Sequence, residues 1–362
     1  MHLAQLRLRD FRNYPRLDAS FLPGFHVLLG DNAQGKTNIL EAIYLLATLR
    51  SFRGVGGAQI VRHGQKGYFI GAQVVAQGSH EIKMYWSAAE RKLTRNGQPV
   101  RTLGDYWGTL RAVVFCTEDM QLIKGAGRLR RRFMDLLLAQ TAPIYLPLLQ
   151  RYAGALRARN ALLKRRTVDE PALEAFTREL VQAGNELTRF RRELIPQIAP
   201  LAIEAYGRVS GQAEQLELEY QPSVRSDFSL ELARQRAREA ALRVTLVGPH
   251  RDELQLRLDG KSAAKFASEG QKRSIAIALK ITQAEHLAAA HGAPPILLID
   301  DVMGELDARR RAGFLPLLNR ARHAHSQVFM TCTEENWPRE LGRDLRLWEV
   351  KRGTLRPRDA AG

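Results

Sequence analysis

Gly30-Asp31-Asn32-Ala33-Gln34-Gly35-Lys36-Thr37 follows the apolar run His26-Val27-Leu28-Leu29 and precedes Asn38-Ile39-Leu40-Glu41-Ala42-Ile43-Tyr44, which reads as a helix. The octapeptide is a G-x-x-x-x-G-K-T phosphate loop in the context that motif requires: strand, glycine turn, helix. Gly30 and Gly35 let the backbone curl so that successive N–H groups, those of Asp31, Asn32, Ala33 and Gln34 between them, face inward at phosphate oxygens. The following helix aims its positive N-terminus at the same anion. Lys36 then reaches the β- and γ-phosphates, and the Thr37 hydroxyl ligates Mg2+. Taken as structure alone, the segment is a glycine turn with an exposed lysine; the flanking strand and helix favour a nucleotide site.

A second segment completes such a site. Pro295-Ile296-Leu297-Leu298-Ile299 is a short apolar run ending in Asp300-Asp301. In phosphate-loop proteins a strand beside the loop strand ends in an aspartate that holds Mg2+. Asp300 fits that role, and Asp301 is placed to orient or deprotonate the attacking water. The competing reading is that one or both cap the next helix. Upstream, Ser268-Glu269-Gly270-Gln271-Lys272-Arg273 stands before an apolar-patterned helix. With Ser268 as N-cap and Gly270 permitting close approach, the helix start presents N–H groups to an anion. Alone, that stretch is an ordinary capped helix.

Composition narrows the partners. The 362 residues carry 55 Lys+Arg against 38 Asp+Glu, a formal charge of +17. That excess favours a polyanion, either nucleic acid or an anionic membrane surface. The opening residues Met1 to Asp10 carry charges where a signal peptide needs an apolar stretch, and no run approaches the roughly 18 apolar residues of a membrane span. Cys116 and Cys332 are the only cysteines and lie in apolar runs, so buried thiols are expected. A soluble, cytoplasmic protein is the expectation.

Texture divides the chain in three. Residues 1–118 alternate like strands, with Asn96-Gly97 as a tight hairpin turn. Residues 119–243 look helical and are punctuated by Pro143, Pro147, Pro171, Pro196 and Pro200, read as helix ends or kinks; that excludes a long coiled coil. Strands return over 244–362, ending in a polar tail from Gly353 expected to fray. The fold class is therefore α/β: one phosphate-loop nucleotide domain made of 1–118 and 244–362, with 119–243 inserted as a helical second lobe.

The serine-x-glycine-glutamine element before an Asp-Asp strand resembles the signature of the ABC-type ATPases, which implies that the nucleotide domain is an ABC-type ATPase head. Asp10-Phe11-Arg12-Asn13-Tyr14, the phosphate loop through Ala42, Ser51-Phe52-Arg53, Glu118 to Gly125, Arg130-Arg131-Arg132-Phe133-Met134-Asp135, Gly248-Pro249-His250-Arg251-Asp252, Ser268 to Arg273 and Asp300 to Asp307 recur in order. Together they resemble the SMC-like DNA-repair branch of that superfamily, and within it the RecF family of bacterial recombination mediators. The resemblance implies that one subunit's signature closes on its partner's ATP, so that ATP drives homodimerisation and hydrolysis reopens the pair. Ser268, Gly270 and Gln271 would contact the partner's γ-phosphate, Asp307 matches the D-loop across the same interface, and Gln121 matches the metal- and water-sensing glutamine. It further implies binding to duplex and gapped DNA, recombinase loading with RecR- and RecO-type partners, and a place in replication-fork recovery and the SOS response to DNA damage.

Two departures bear on rate. Val328-Phe329-Met330-Thr331-Cys332-Thr333 lacks the histidine that ABC ATPases commonly place there, and Asp301 is shorter than the usual glutamate. A weak, DNA-stimulated ATPase acting as a switch is expected. Arg128, Arg130 to Arg132, Arg157, Arg159, Lys164 to Arg166, Arg189, Arg191 and Arg192 put positive charge on the helical lobe, which suits phosphate-backbone contacts; individually each also suits a solvated helix face. Rival readings are a nucleotide-binding subunit of an ABC transporter, a phosphate-loop kinase of a small metabolite, and a DNA scaffold with a degenerate site. The intact Lys36, Thr37, Asp300 and Asp301 oppose the last.

Overall fold

The computed structural model describes residues 1–358 apart from 212, 325, 334–336 and 338–343. The chain forms two compact units: Met1–Met120, Glu204–Ala213 and Arg273–Gly362 make the first, and Gln121–Ile203 with Glu214–Lys272 the second.

In the first unit a six-stranded sheet runs in the order Thr354–Arg358, Leu345–Lys351, Gly24–Leu29, Gln327–Cys332, Ile296–Asp300, Ala112–Phe115. Only the outer hairpin pairs antiparallel; every other neighbour is parallel. Parallel strands are buried on both faces and read as continuous apolar runs, which is why Ile296–Ile299 and Val328–Met330 stand out in the sequence. A second, antiparallel sheet joins Tyr14–Ser20, His2–Phe11, Gly67–Val75, Ser79–Ser87, Arg91–Arg95 and Gln98–Pro99. Its last hairpin turns at Asn96 (φ 51°) and Gly97 (φ 77°), the paired positive φ that an Asn-Gly turn supplies.

The helix Lys36–Thr48 is buried at eleven of its thirteen residues, and one apolar cluster takes in side chains from it and from both sheets. A helix covered on all sides must be apolar all round, as Ile39-Leu40-Glu41-Ala42-Ile43 nearly is. Truncating one of its fully buried aliphatic side chains to alanine would cost about 2–5 kcal/mol. The phosphate loop is thus anchored to the most deeply buried helix of the unit.

The second unit contains helices Gly127–Thr141, Tyr145–Leu163 and Phe228–Leu242, most of the helix Glu170–Ser210, and a three-stranded sheet of Leu216–Gln221, Glu253–Leu258 and Lys261–Ser262. Three expectations change here. Pro196 and Pro200 end nothing: both lie inside a 41-residue helix, about 60 Å long. The buried stripe Leu180, Ala183, Leu187, Leu194, Ile198, Ala202 continues through them, and its burial outweighs the donor each proline removes. The helix has no partner of matching length among the described residues, so no long coiled coil forms. Leu216, Leu218 and Tyr220 alternate in a strand inside a stretch expected to be helical. That strand pairs with Glu253–Leu258 through six residue pairs, which keeps 244–272 with the second unit, while 204–213 joins the first. The lobes expected at 1–118 with 244–362 and at 119–243 shift accordingly. The tail is also more ordered than expected, since Thr354–Arg358 is an edge strand; residues 359–362 lie outside the described residues.

Candidate nucleotide site

Parallel pairing brings three strand ends to one edge of the sheet. Cys332 lies opposite Leu29 and Thr331 opposite Asp300, so the phosphate loop, Thr331 and Asp300 all emerge at the carboxyl end, where open α/β sheets bind ligands. There the Thr37 hydroxyl donates to Asp300 Oδ1 at 2.8 Å and the Thr331 hydroxyl donates to the same oxygen at 3.0 Å. The Asp301 N–H donates to Thr331 Oγ1 at 2.9 Å. Burial raises the Asp300 carboxyl above the ordinary aspartate range, opposed by those two hydroxyls. Asp301 takes a left-handed φ of 59°, is exposed, and makes no side-chain cap on the short helix Val302–Glu305. The capping reading of the pair is therefore not realised; Asp300 faces inward and Asp301 outward.

A hydroxyl and a carboxylate 2.8 Å apart form a hard-oxygen pair that fits Mg2+, which takes one or two protein oxygens and completes its shell with phosphates and water. Among the described residues no group of three His, Cys, Asp or Glu could hold a metal by itself.

The loop explains its own glycines. A Cβ on Gly30 (φ 154°) would lie 2.3 Å from the Val350 carbonyl oxygen, and one on Gly35 (φ 118°) 2.7 Å from the Asn13 side chain and 2.9 Å from Tyr14 Oη. Gly35 begins the helix Lys36–Thr48 with no side-chain cap, leaving the helix start to an anion. Lys36 is buried, and its ammonium donates to the Gly30 and Asp31 carbonyls at 2.6 and 3.0 Å. Asp31, Asn32 and Ala33 are exposed along the loop. Gln34 is tied down by neighbouring segments. Its Oε1 accepts from the Arg352 N–H at 2.8 Å, and its carbonyl accepts from Asn13 Nδ2 at 2.7 Å and from the Gly353 N–H at 3.2 Å. Gln34's side chain and carbonyl are thus both held, by the C-terminal hairpin and Asn13.

The bracing residues were motifs without a task in the sequence. Tyr14 Oη donates to the Gly35 carbonyl at 3.1 Å, and Asn38 Nδ2 donates to Asn13 Oδ1 at 2.8 Å. Next to them Arg12 donates through Nε and one terminal nitrogen to both oxygens of the fully buried Glu41, at 2.8 and 2.7 Å. The Ser51 hydroxyl adds a third bond to Glu41 at 2.5 Å. Asp10–Tyr14 and Ser51–Arg53 are thereby tied to the phosphate-loop helix through one carboxylate. Thr331 stands at the strand end where ABC-type ATPases commonly carry a histidine, and a lone threonine in the sequence gives no signal of its bond to Asp300.

The signature residues belong to the second unit. Gln271 N–H donates to Ser268 Oγ at 3.2 Å while Ser268 N–H donates to Gln271 Oε1 at 2.6 Å, a reciprocal capping box. Gln271 Nε2 donates to Glu214 at 2.6 Å, so the glutamine's amide is engaged in holding the helix start. Gly270 is half-buried beside the exposed Ser268. In the first unit Asp307 caps the helix Ala308–His323, accepting from the Arg310 N–H at 2.8 Å. Gln121 is exposed at the start of the short helix Gln121–Lys124.

The arginines of the helical region separate by partner. Arg159 is buried against Glu239 at 2.5 Å and Arg191 against Asp135 at 2.8 Å and Asp252 at 3.0 Å. Arg130 is paired with Glu253, and Arg189 with Glu186 and Glu193. Arg159 and Arg191 are therefore internal struts, contrary to the expectation of a DNA surface. Arg128, Arg157, Lys164, Arg165, Arg166 and Arg192 remain exposed.

The family model described as the RecF/RecN/SMC N-terminal domain matches residues 2–355. The DNA replication and repair protein RecF of Symbiobacterium thermophilum is 39% identical over 371 residues, with 98% of each chain covered. The protein of that name from Halalkalibacterium halodurans is 35% identical, covering 98% of this chain and 99% of the relative. Among solved structures, the recombination mediator protein RecF with ATP, of the RecFOR pathway, superposes with a TM-score of 0.90 at 27% identity, covering 99% of this chain and 97% of that one. An Smc head domain from Pyrococcus furiosus shares the fold alone, with a TM-score of 0.57 at 15% identity.

Proposed function

Because the chain belongs to the RecF family of the RecF/RecN/SMC group, we propose that it is an ATP-dependent DNA-binding protein of recombinational repair and replication-fork recovery. The observation that carries this reading is the Thr37–Asp300–Thr331 cluster at the mouth of an intact phosphate loop, in a fold shared with a relative solved with ATP.

Thr37 and Asp300 would hold Mg2+, which would supply charge neutralisation on the transferring phosphate, and Gln121 would serve as a metal- and water-sensing residue. Loop amides 30–35 and Lys36 grip the phosphates, and Asp301 orients the attacking water. Ser268 and Gly270 of one copy, with Asp307, close on the nucleotide of the other, so ATP makes a head-to-tail homodimer; Gln271 serves by fixing the signature cap. Thr331 in place of a histidine and an aspartate in place of a glutamate keep Mg-dependent, DNA-stimulated hydrolysis slow, which suits a timed clamp.

The exposed arginines and lysine named above grip duplex phosphates at gaps, where RecR- and RecO-type partners and then a recombinase follow. This work takes place in the cytoplasm, and no helix among the described residues is long and apolar enough to cross a membrane. Duplex-DNA affinity, titrated with salt in the presence and absence of ATP, tests the reading. ATP-strengthened binding that falls steeply with salt is expected; equal binding by wild type and Lys36→Ala under both conditions refutes it.

A further inference from the structure

The signature helix begins with an acidic residue where an anion must dock. Glu269 is the first residue of the helix Glu269–His291, and its side chain is 67% exposed. A carboxylate there occupies the positive field of the helix start and repels any phosphate brought to it. It is not left alone. Lys124, the last residue of the helix Gln121–Lys124, places its ammonium on Glu269 Oε2, and Lys272 places its own 3.5 Å from Oε1. The Lys124 hydrogen bond, foremost, holds the Glu269 carboxyl below its usual range. The Glu269 carboxylate and its two ammoniums sum to a charge of +1; without Lys124 that sum is zero.

We propose that Lys124 is a positioning residue of the signature: it draws the Glu269 carboxylate onto itself, so that Ser268 and Gly270 can receive the phosphates of a nucleotide held by a second copy of the chain. This rests on the ATP-driven dimer of the preceding section. It assigns a task to the end of the Glu118–Gly125 motif that neither metal sensing nor water placement requires of it. The effect is electrostatic and acts only when a phosphate arrives from the partner, so binding of ATP to an isolated protomer does not depend on it.

Three variants test this: Lys124→Ala, Glu269→Gln and the double substitution. Each is measured twice, for nucleotide affinity with a fluorescent ATP analogue at a protein concentration that keeps protomers apart, and for ATP-driven dimerisation by sedimentation. Lys124→Ala should keep protomer affinity within about twofold of wild type and weaken dimerisation about fivefold, the sum of two exposed charge effects per symmetric dimer. Adding Glu269→Gln should restore dimerisation, which a purely structural role of the ion pair would not do. A wild type that dimerises with ATP while Lys124→Ala matches it, or while the double variant stays weak, overturns this proposal alone. A wild type that remains monomeric with ATP overturns it together with the dimer reading.

Discussion

Replacing Thr331 by valine keeps the β-branched shape that suits the end of the strand Gln327–Cys332 and removes one hydroxyl. That hydroxyl donates to Asp300 Oδ1 at 3.0 Å and accepts the Asp301 N–H at 2.9 Å. Hydrogen bonds to a charged group contribute about 1.5–3 kcal/mol. Thr37 still serves Asp300, and water can reach the exposed Asp301, so the lower end applies. A loss of about 1.4 kcal/mol felt in the transition state slows turnover about tenfold. The pH dependence has a definite sign. In the proposed site Asp300 would have to be ionised to hold Mg2+; burial already raises its carboxyl, and the two hydroxyls oppose that shift. Removing one weakens the charged form, so activity, which disappears as pH falls through that titration, is lost at a higher pH in Thr331→Val than in wild type. Steady-state ATPase measured across pH and Mg2+ concentration reads both effects, with Thr331→Ser, which keeps the hydroxyl, as the control. A valine variant whose acid limb and Mg2+ requirement coincide with those of wild type would refute the role given to Thr331.

Arg12→Ala leaves the buried Glu41 carboxylate only the Ser51 hydroxyl and a long 4.0 Å ion pair to Arg53, and should destabilise the protein by about 3 kcal/mol in urea unfolding; adding Glu41→Leu should recover most of that loss, because an apolar replacement removes the poorly compensated charge. Gly35→Ala forces a Cβ to within 2.7 Å of Asn13 at a φ of 118°, and nucleotide titration should show ATP affinity lowered at least about tenfold while the fold persists.

The phosphate loop, the Asp300 strand and the signature helix were legible because each couples an apolar run to residues that chemistry fixes by spacing: glycines that must curl, a lysine, a terminal carboxylate, a serine cap. Ser268 is the N-cap the sequence implied, and Asn96-Gly97 the predicted turn. What failed to show depends on distant pairing. Arg12 meets Glu41 and Thr331 meets Asp300 across 29 and 31 residues, and Gln34 meets Arg352 across 318. No local pattern announces such bonds. Pro196 and Pro200 misled because a helix propensity counts the lost donor, whereas a continuous buried stripe decides whether the helix continues. Arg159 and Arg191 misled because charge in a sequence carries no sign of burial; their carboxylate partners lie 80 and 56 residues away.

In the proposed dimer a working site takes its phosphate loop from one copy of the chain and its signature from another. Mixing Lys36→Ala protein with Ser268→Arg protein tests that directly. Each variant alone should be close to inactive as an ATPase, since every dimer it forms lacks one half of both sites. In an equimolar mixture half of the dimers are mixed, and each of those has one intact site, so about a quarter of wild-type turnover should return. A mixture no more active than the two variants measured separately would contradict the composite site.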